Sequence, residues 1–121
     1  KLFMWPEMVM GEELKRLYTN AQLMVYPSFY EGFGLPVVEA LLSGCPVVTS
    51  NVSSLPEAGG PFSLKADPSN AEDIKEQIVK ALTDETWRQE AISGGREWAM
   101  KTFDPRTLAR QVMGIYEKII L

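Results

Sequence analysis

Two acids and a pair of glycines carry the chemistry legible in this sequence. Glu31 opens the run Glu31-Gly32-Phe33-Gly34-Leu35-Pro36, and Glu39 comes one turn into the segment that begins at Leu35. Glycine has no Cβ to hold a ligand off the backbone, so a turn through Gly32 and Gly34 can present its amides closely. The helix that starts there has first N–H groups without intrahelical partners and the positive end of its dipole. That assembly attracts an anion, and a phosphate is the usual one. A carboxylate accepts hydrogen bonds well from two adjacent hydroxyls. One acid can then hold a ribose diol while the other meets the hydroxyls of a sugar beyond the phosphates. Phosphate between two polyhydroxyl groups describes a nucleotide sugar.

Each part has a plainer explanation when taken singly. Gly-Phe-Gly ahead of a helix is a weak signal of a phosphate site. Glu31 alone reads equally well as a helix-start acid, and Glu39 as a solvated surface residue. Only the combination points to a site.

The elements that must position these residues form a parallel α/β pattern. Leu23-Met24-Val25-Tyr26 is a continuous apolar run ended by Pro27, the signature of a strand buried on both faces. Its carboxyl end leads into the glycine turn, where ligands bind in doubly wound folds. A helix is predicted from about Leu35 to Ser43, with Pro36 preset for its first turn and Gly44 ending it. Pro46-Val47-Val48-Thr49 makes the next strand, completing a strand–helix–strand unit.

Upstream, Phe3 to Trp5 reads as the tail of a strand, and Gly11-Glu12-Glu13 opens a helix with Leu14, Leu17, Tyr18 and Ala21 at helical spacing. Downstream, a turn spans about Ser53 to Gly60, and Phe62-Ser63-Leu64 reads as a third strand. Three helices are predicted from about residue 71 onward. The first carries Ile74, Ile78, Ala81 and Leu82. The second runs from about Asp84 to Lys101 with Trp87, Ala91 and Trp98, and Gly94 and Gly95 weaken it by ~1 kcal/mol each. The third is capped by Asp104, begins at Pro105, and shows Leu108, Val112, Ile115, Tyr116 and Ile119 as a packing stripe.

Composition narrows the class. The chain has 121 residues, 45% of them apolar and 23% charged, enough for one ordered domain with a core. A formal charge of −4 argues against nucleic-acid binding through Lys and Arg. There is no histidine, so Ser-His and Cys-His catalytic pairs are excluded within the chain, and the single Cys45 reads as a small buried apolar residue. No apolar stretch approaches the ~20 residues of a membrane span. The first residues, Lys1-Leu2-Phe3-Met4-Trp5, read as a cut edge rather than a signal peptide. The expected location is the cytoplasm, or the membrane periphery through a larger parent enzyme.

The run from Tyr26 to Ser50 resembles the Glu-x7-Glu motif of retaining glycosyltransferases with the GT-B fold, the large group-1 family (family 4). Glu31 and Glu39 match its two acids, Gly32 to Pro36 match the turn between them, and Gly44, Pro46 and Val47 match the segment after the second acid. The likeness continues through Ser50-Asn51-Val52-Ser53-Ser54-Leu55-Pro56-Glu57 and Ala66-Asp67-Pro68. It implies a Rossmann-like parallel sheet with flanking helices, here residues 1–121 as part of a C-terminal nucleotide-sugar-binding domain. It implies that Glu31 is the catalytic residue, meeting the transferred sugar, and that Glu39 holds the ribose. Gly32, Phe33, Gly34 and Leu35 complete the donor site, the last three through backbone donors. The implied reaction moves a sugar from a GDP- or UDP-sugar to an acceptor hydroxyl with retention, without a metal. Its transition state has oxocarbenium character, and helix-end amides stabilise the charge growing on the departing phosphate.

The family pattern is incomplete in this chain. The N-terminal acceptor domain, the first two strands of the C-terminal domain and the basic diphosphate site are missing, since Lys15 and Arg16 lie on a helix. An exposed apolar sheet edge is therefore expected, or self-association that covers it, and the fragment alone is expected to be inactive. Exposed aromatic surface around Trp98 or Tyr116 would mark a lost domain contact; ordinary local packing is the equal alternative. Two other functions remain open: a different GT-B enzyme, such as a nucleotide-sugar epimerase or a phosphorylase, and a non-catalytic nucleotide-binding or assembly module.

Overall fold

The computed structural model describes residues 3–120. Along the chain, α1 (Gly11–Asn20) precedes β1 (Met24–Tyr26), α2 (Leu35–Leu42) and β2 (Val47–Ser50). Next come α3 (Leu55–Gly59), a 3-10 turn (Gly60–Phe62) and β3 (Leu64–Ala66). Three helices, α4 (Ala71–Thr83), α5 (Glu85–Thr102) and α6 (Pro105–Ile120), complete the order. The strands make one parallel sheet in the order β1-β2-β3, with Val25 opposite Val48 and Val48 opposite Leu64.

The sheet is covered on both faces, which explains the unbroken apolar run of β2. Successive strand side chains point to opposite faces. Val47 joins Val37, Leu41, Leu55, Ala58 and Ala99 in one cluster, and Val48 joins Ala66 and Ala81 in another, so all four β2 residues are buried. Full burial of each Leu or Val in these clusters contributes roughly 1.5–3 kcal/mol. The polar end of β2 is satisfied within the sheet: Thr49 Oγ1 donates to the Tyr26 carbonyl at 3.0 Å, and Ser50 Oγ to the Ser28 carbonyl at 2.6 Å. Both bonds tether the segment leaving β1 and so fix where the glycine turn begins. Cys45 is buried beside this layer, and burial pushes its thiol pKa up.

Gly94 and Gly95 have a packing role that outweighs their weak helix propensity. A Cβ on Gly94 would overlap the Phe62 ring, and one on Gly95 would lie 3.2 Å from Leu41 Cδ2. The two glycines let α5 settle onto α2 and the 3-10 turn. Trp98 stands over Gly60, whose φ is +58°, and a Cβ there would overlap the indole. Trp98 is thus locally packed, while Tyr116 is 54% exposed.

Several sequence expectations need correction. Phe3 to Trp5 forms no strand and is 86–96% exposed; a parallel strand is held by its neighbour's ladder, and none lies beside it. The Ser53 to Gly60 turn contains helix α3, opened by Leu55-Pro56. The third strand lies at Leu64–Ala66 rather than Phe62–Leu64, because Phe62 belongs to the 3-10 turn that packs under α5. The α6 stripe is not a packing surface here, since no α6 residue is buried. Its expected cap is present, with the Arg106 amide donating to Asp104 Oδ1 at 2.9 Å. The expected apolar edge is β1, where Val25 is exposed. Among the described residues, no helix is long and apolar enough to cross a membrane.

Candidate functional site

The glycine turn sits at the carboxyl end of β1 and delivers the chain into α2 through Gly34. Gly34 adopts φ 104°, a left-handed value that favours glycine. A Cβ there would also lie 2.7 Å from Leu55 Cδ2 and 3.3 Å from Ala58 Cβ. Conformation and packing therefore require the same residue. Gly32 has neither constraint: nothing lies within 4 Å of the place a Cβ would take, and the residue is open to solvent.

The amide pattern bears on the expected anion seat. Val37 N–H bonds the Gly34 carbonyl at 3.0 Å, Val38 N–H approaches it at 3.4 Å, and Pro36 has no N–H. Within the helix itself only Leu35 keeps a free first-turn donor. Among the described residues, the N–H groups of Gly32, Phe33, Gly34 and Leu35 have no protein acceptor. The unpartnered donors thus belong mostly to the turn, with a single helical amide at its end. Phe33 turns its ring inward onto Phe103, centroids 5.5 Å apart and edge-to-face, and Phe103 packs in the same way on Trp98 at 5.4 Å.

Each acid is oriented by a tyrosine. Tyr26 Oη donates to Glu31 Oε1 at 2.8 Å, and Tyr18 Oη to Glu39 Oε2 at 3.2 Å. Burial, then the charge and hydrogen bond of Glu39, push the Tyr18 pKa up to about 12. Burial, then the bond to Glu31, raises that of Tyr26. Both phenols therefore remain donors at neutral pH. Glu39 faces a groove between α1 and α2 of about 460 Å³, lined also by Leu14, Lys15, Tyr18 and Leu42. Glu31 does not line that groove, so the two acids share neither a tyrosine partner nor this groove.

The residues missed in the sequence are the supports: Tyr18, Tyr26, Ser53, Ser54 and Phe103. Ser53 and Ser54 bond the backbone of the turn across more than twenty residues of chain. Tyr26 had a local signal, since it ends the strand five residues before Glu31. The serine and phenylalanine contacts are long-range and leave no periodic trace.

A parallel sheet covered on both faces, with a glycine turn between β1 and α2, is Rossmann-like, the kind of domain from which GT-B enzymes are built. It superposes on sucrose-phosphate synthase from Thermosynechococcus elongatus with a TM-score of 0.75 and 30% identity, covering 92% of this chain and 29% of that one. Residues 3–98 match the family described as "Glycosyl transferases group 1". The chain is 45% identical over 109 residues to O-antigen chain mannosyltransferase B of Escherichia coli, covering 90% of this chain and 28% of the relative. It is 35% identical over 112 residues to the MMP alpha-(1->4)-mannosyltransferase of Mycolicibacterium hassiacum, covering 90% and 27%. The chain belongs to the group 1 glycosyl transferases. It spans little more than a quarter of the length of these relatives.

Proposed function

We propose that this chain is the donor-binding part of a retaining glycosyltransferase that moves a mannosyl unit from a nucleoside diphosphate to an acceptor hydroxyl. The observation that carries the reading is the row of unpartnered N–H groups from Gly32 to Leu35, set between Glu31 and Glu39. The amides of Phe33, Gly34 and Leu35 take the sugar and the distal phosphate. Negative charge grows on that phosphate as the glycosidic bond breaks, and donors already fixed in place stabilise it without reorganising. Glu31, held by Tyr26, faces the transferred sugar; Glu39, held by Tyr18, accepts from the ribose diol. The mannosyl donor is supported by the names of the two relatives, and GDP-mannose is the first donor to test. Acceptor binding is assigned to the remaining length of the longer protein, so the chain alone binds donor without transferring it. The exposed β1 edge is covered by that remaining length or by a second copy.

The test uses the full-length protein carrying this chain and a panel of nucleotide sugars that includes GDP-mannose and a UDP-hexose. Glu31→Ala is expected to lower transfer by roughly 10²-fold or more, the scale of losing one transition-state contact, while nucleoside diphosphate binding holds within a few fold. Glu39→Ala removes charged hydrogen bonds worth about 1.5–3 kcal/mol, and should weaken nucleotide binding roughly 10- to 100-fold. Transfer that survives Glu31→Ala would overturn the reading. Unchanged ligand binding in that variant, with no transfer by the unsubstituted protein, would identify a binding module instead.

A further inference from the structure

The turn joining β2 to α3 has two features that its local structure does not require. Ser53 takes φ 60°, the only positive φ outside glycine among the described residues. Ser54 occupies the N-cap position of α3, where serine ordinarily accepts from a first-turn amide, yet its side chain makes no capping bond. Both hydroxyls go to the acid-bearing turn instead. Ser53 Oγ accepts from the Glu31 N–H at 3.2 Å and donates to the Glu31 carbonyl at 3.0 Å. Ser54 Oγ donates its one proton to the Phe33 carbonyl at 2.8 Å and lies 3.1 Å from the Glu31 carbonyl, which already accepts from Ser53. A strained backbone of this kind persists where its surroundings over-determine it, and such places cluster at functional sites.

Peptide geometry turns these bonds into a constraint on the amides. All peptide bonds among the described residues are trans, so each carbonyl and the next residue's N–H point in opposite directions. Holding the Glu31 and Phe33 carbonyls toward the serines turns the Gly32 and Gly34 N–H groups away from them, to the side where no protein acceptor lies. A flip of either peptide would present a carbonyl oxygen, which repels phosphate, in place of a donor. Glycine at 32 and 34 makes such flips easy, so an outside restraint is needed.

We propose that Ser53 and Ser54 are positioning residues that lock the peptide orientation of the Glu31–Gly34 turn and thereby aim its amides and the Glu31 carboxylate at the donor. This rests on the reading that the turn holds a nucleotide sugar. The serines touch no substrate and act through the turn.

The experiment measures transfer kinetics, nucleoside diphosphate binding and thermal stability of the full-length protein for Ser53→Gly, Ser54→Ala, Ser54→Thr and the reference Glu31→Ala. Ser53→Gly relieves the positive φ, so its Tm should hold or rise while kcat/KM for the nucleotide sugar falls about tenfold. A purely structural residue would move stability and activity together. Ser54→Ala should lose at least tenfold in kcat/KM, and Ser54→Thr, which keeps the hydroxyl, should recover to within about threefold of the unsubstituted protein. Should Ser54→Ala fail to fold, Ser53→Gly decides alone. The proposal is overturned if Ser53→Gly keeps kcat/KM within twofold, or if it loses Tm and activity in parallel. Loss of transfer in Glu31→Ala beside unchanged serine variants overturns the lock alone. Unchanged transfer in Glu31→Ala overturns the donor-site reading itself.

Discussion

Replacing Gly34 by alanine tests the geometry of the turn most directly. Two separable penalties are expected. At φ 104° an L-residue pays the left-handed penalty, about 1–2 kcal/mol. The new methyl would also lie 2.7 Å from Leu55 Cδ2 and 3.3 Å from Ala58 Cβ. Leu55 is fully buried, so overpacking adds roughly 1–3 kcal/mol. The expected loss is about 2–5 kcal/mol, against the ~5–15 kcal/mol that holds a typical domain together. Gly32→Ala is the internal control: its φ is not left-handed and nothing lies within 4 Å, so its effect should stay within about ±0.5 kcal/mol.

Urea denaturation followed by far-UV circular dichroism gives both values. Adding Leu55→Ala separates the two penalties. That substitution alone costs ~2–5 kcal/mol, but it opens the space the Gly34→Ala methyl needs. The double variant should therefore be more stable than the sum of the single losses by the overpacking share, roughly 1–3 kcal/mol. A Gly34→Ala loss below about 0.5 kcal/mol, or no coupling to Leu55→Ala, would refute the argument that conformation and close packing both select glycine there.

Other outcomes rest on the same contacts. Tyr18 should be the last phenol to ionise in an alkaline titration read at the tyrosinate absorbance, near pH 12, and Tyr18→Phe should remove that step. Its folded pKa lies above the ordinary 10, so its contribution to stability is fully present below pH 10 and is lost as pH rises through about 12; Glu39→Gln should move that window down. Gly94→Ala should destabilise despite alanine's better helix propensity, because its methyl would strike the edge of the Phe62 ring. A gain in Tm would show that α5 can ride up without loss.

The elements legible in the sequence are those that announce themselves locally. Leu23 to Tyr26, Leu35 to Ser43 and Pro46 to Thr49 are largely apolar segments punctuated by Pro27, Pro36 and Gly44, and each forms within a residue or two of its expected span. α3 escapes because its five residues are too few to show a helical period, and Leu55-Pro56 reads as a turn. β3 is shifted because Phe62 is claimed by a tertiary contact with Gly94 that no local pattern encodes. The α6 stripe is amphipathic, but amphipathicity says only that a face wants cover. Of the candidate site, the Glu31 and Glu39 pair stands out in the sequence through its spacing around two glycines. Their tyrosines and the serines are not, since a side chain's partner twenty residues away is set by the fold.

The contacts around the turn bear on the proposed donor seat because they order its backbone. Three separate parts of the chain act on it. Phe103, beyond the end of α5, receives the Phe33 ring; Leu55 and Ala58 of α3 close against Gly34; and the β2–α3 turn supplies the hydroxyls that hold two carbonyls. Ordering a flexible backbone costs about 1–2 kcal/mol per residue, so roughly 4–8 kcal/mol would fall on ligand binding if Glu31 to Gly34 were loose. Here that ordering is borne by folding, through contacts made before any ligand arrives. Among the described residues the N–H groups of Gly32 to Leu35 are left without a protein acceptor, with Gly32 and Leu35 exposed and Gly34 buried. The path of this backbone is set less by the turn's own side chains than by where the rest of the fold forbids it to go.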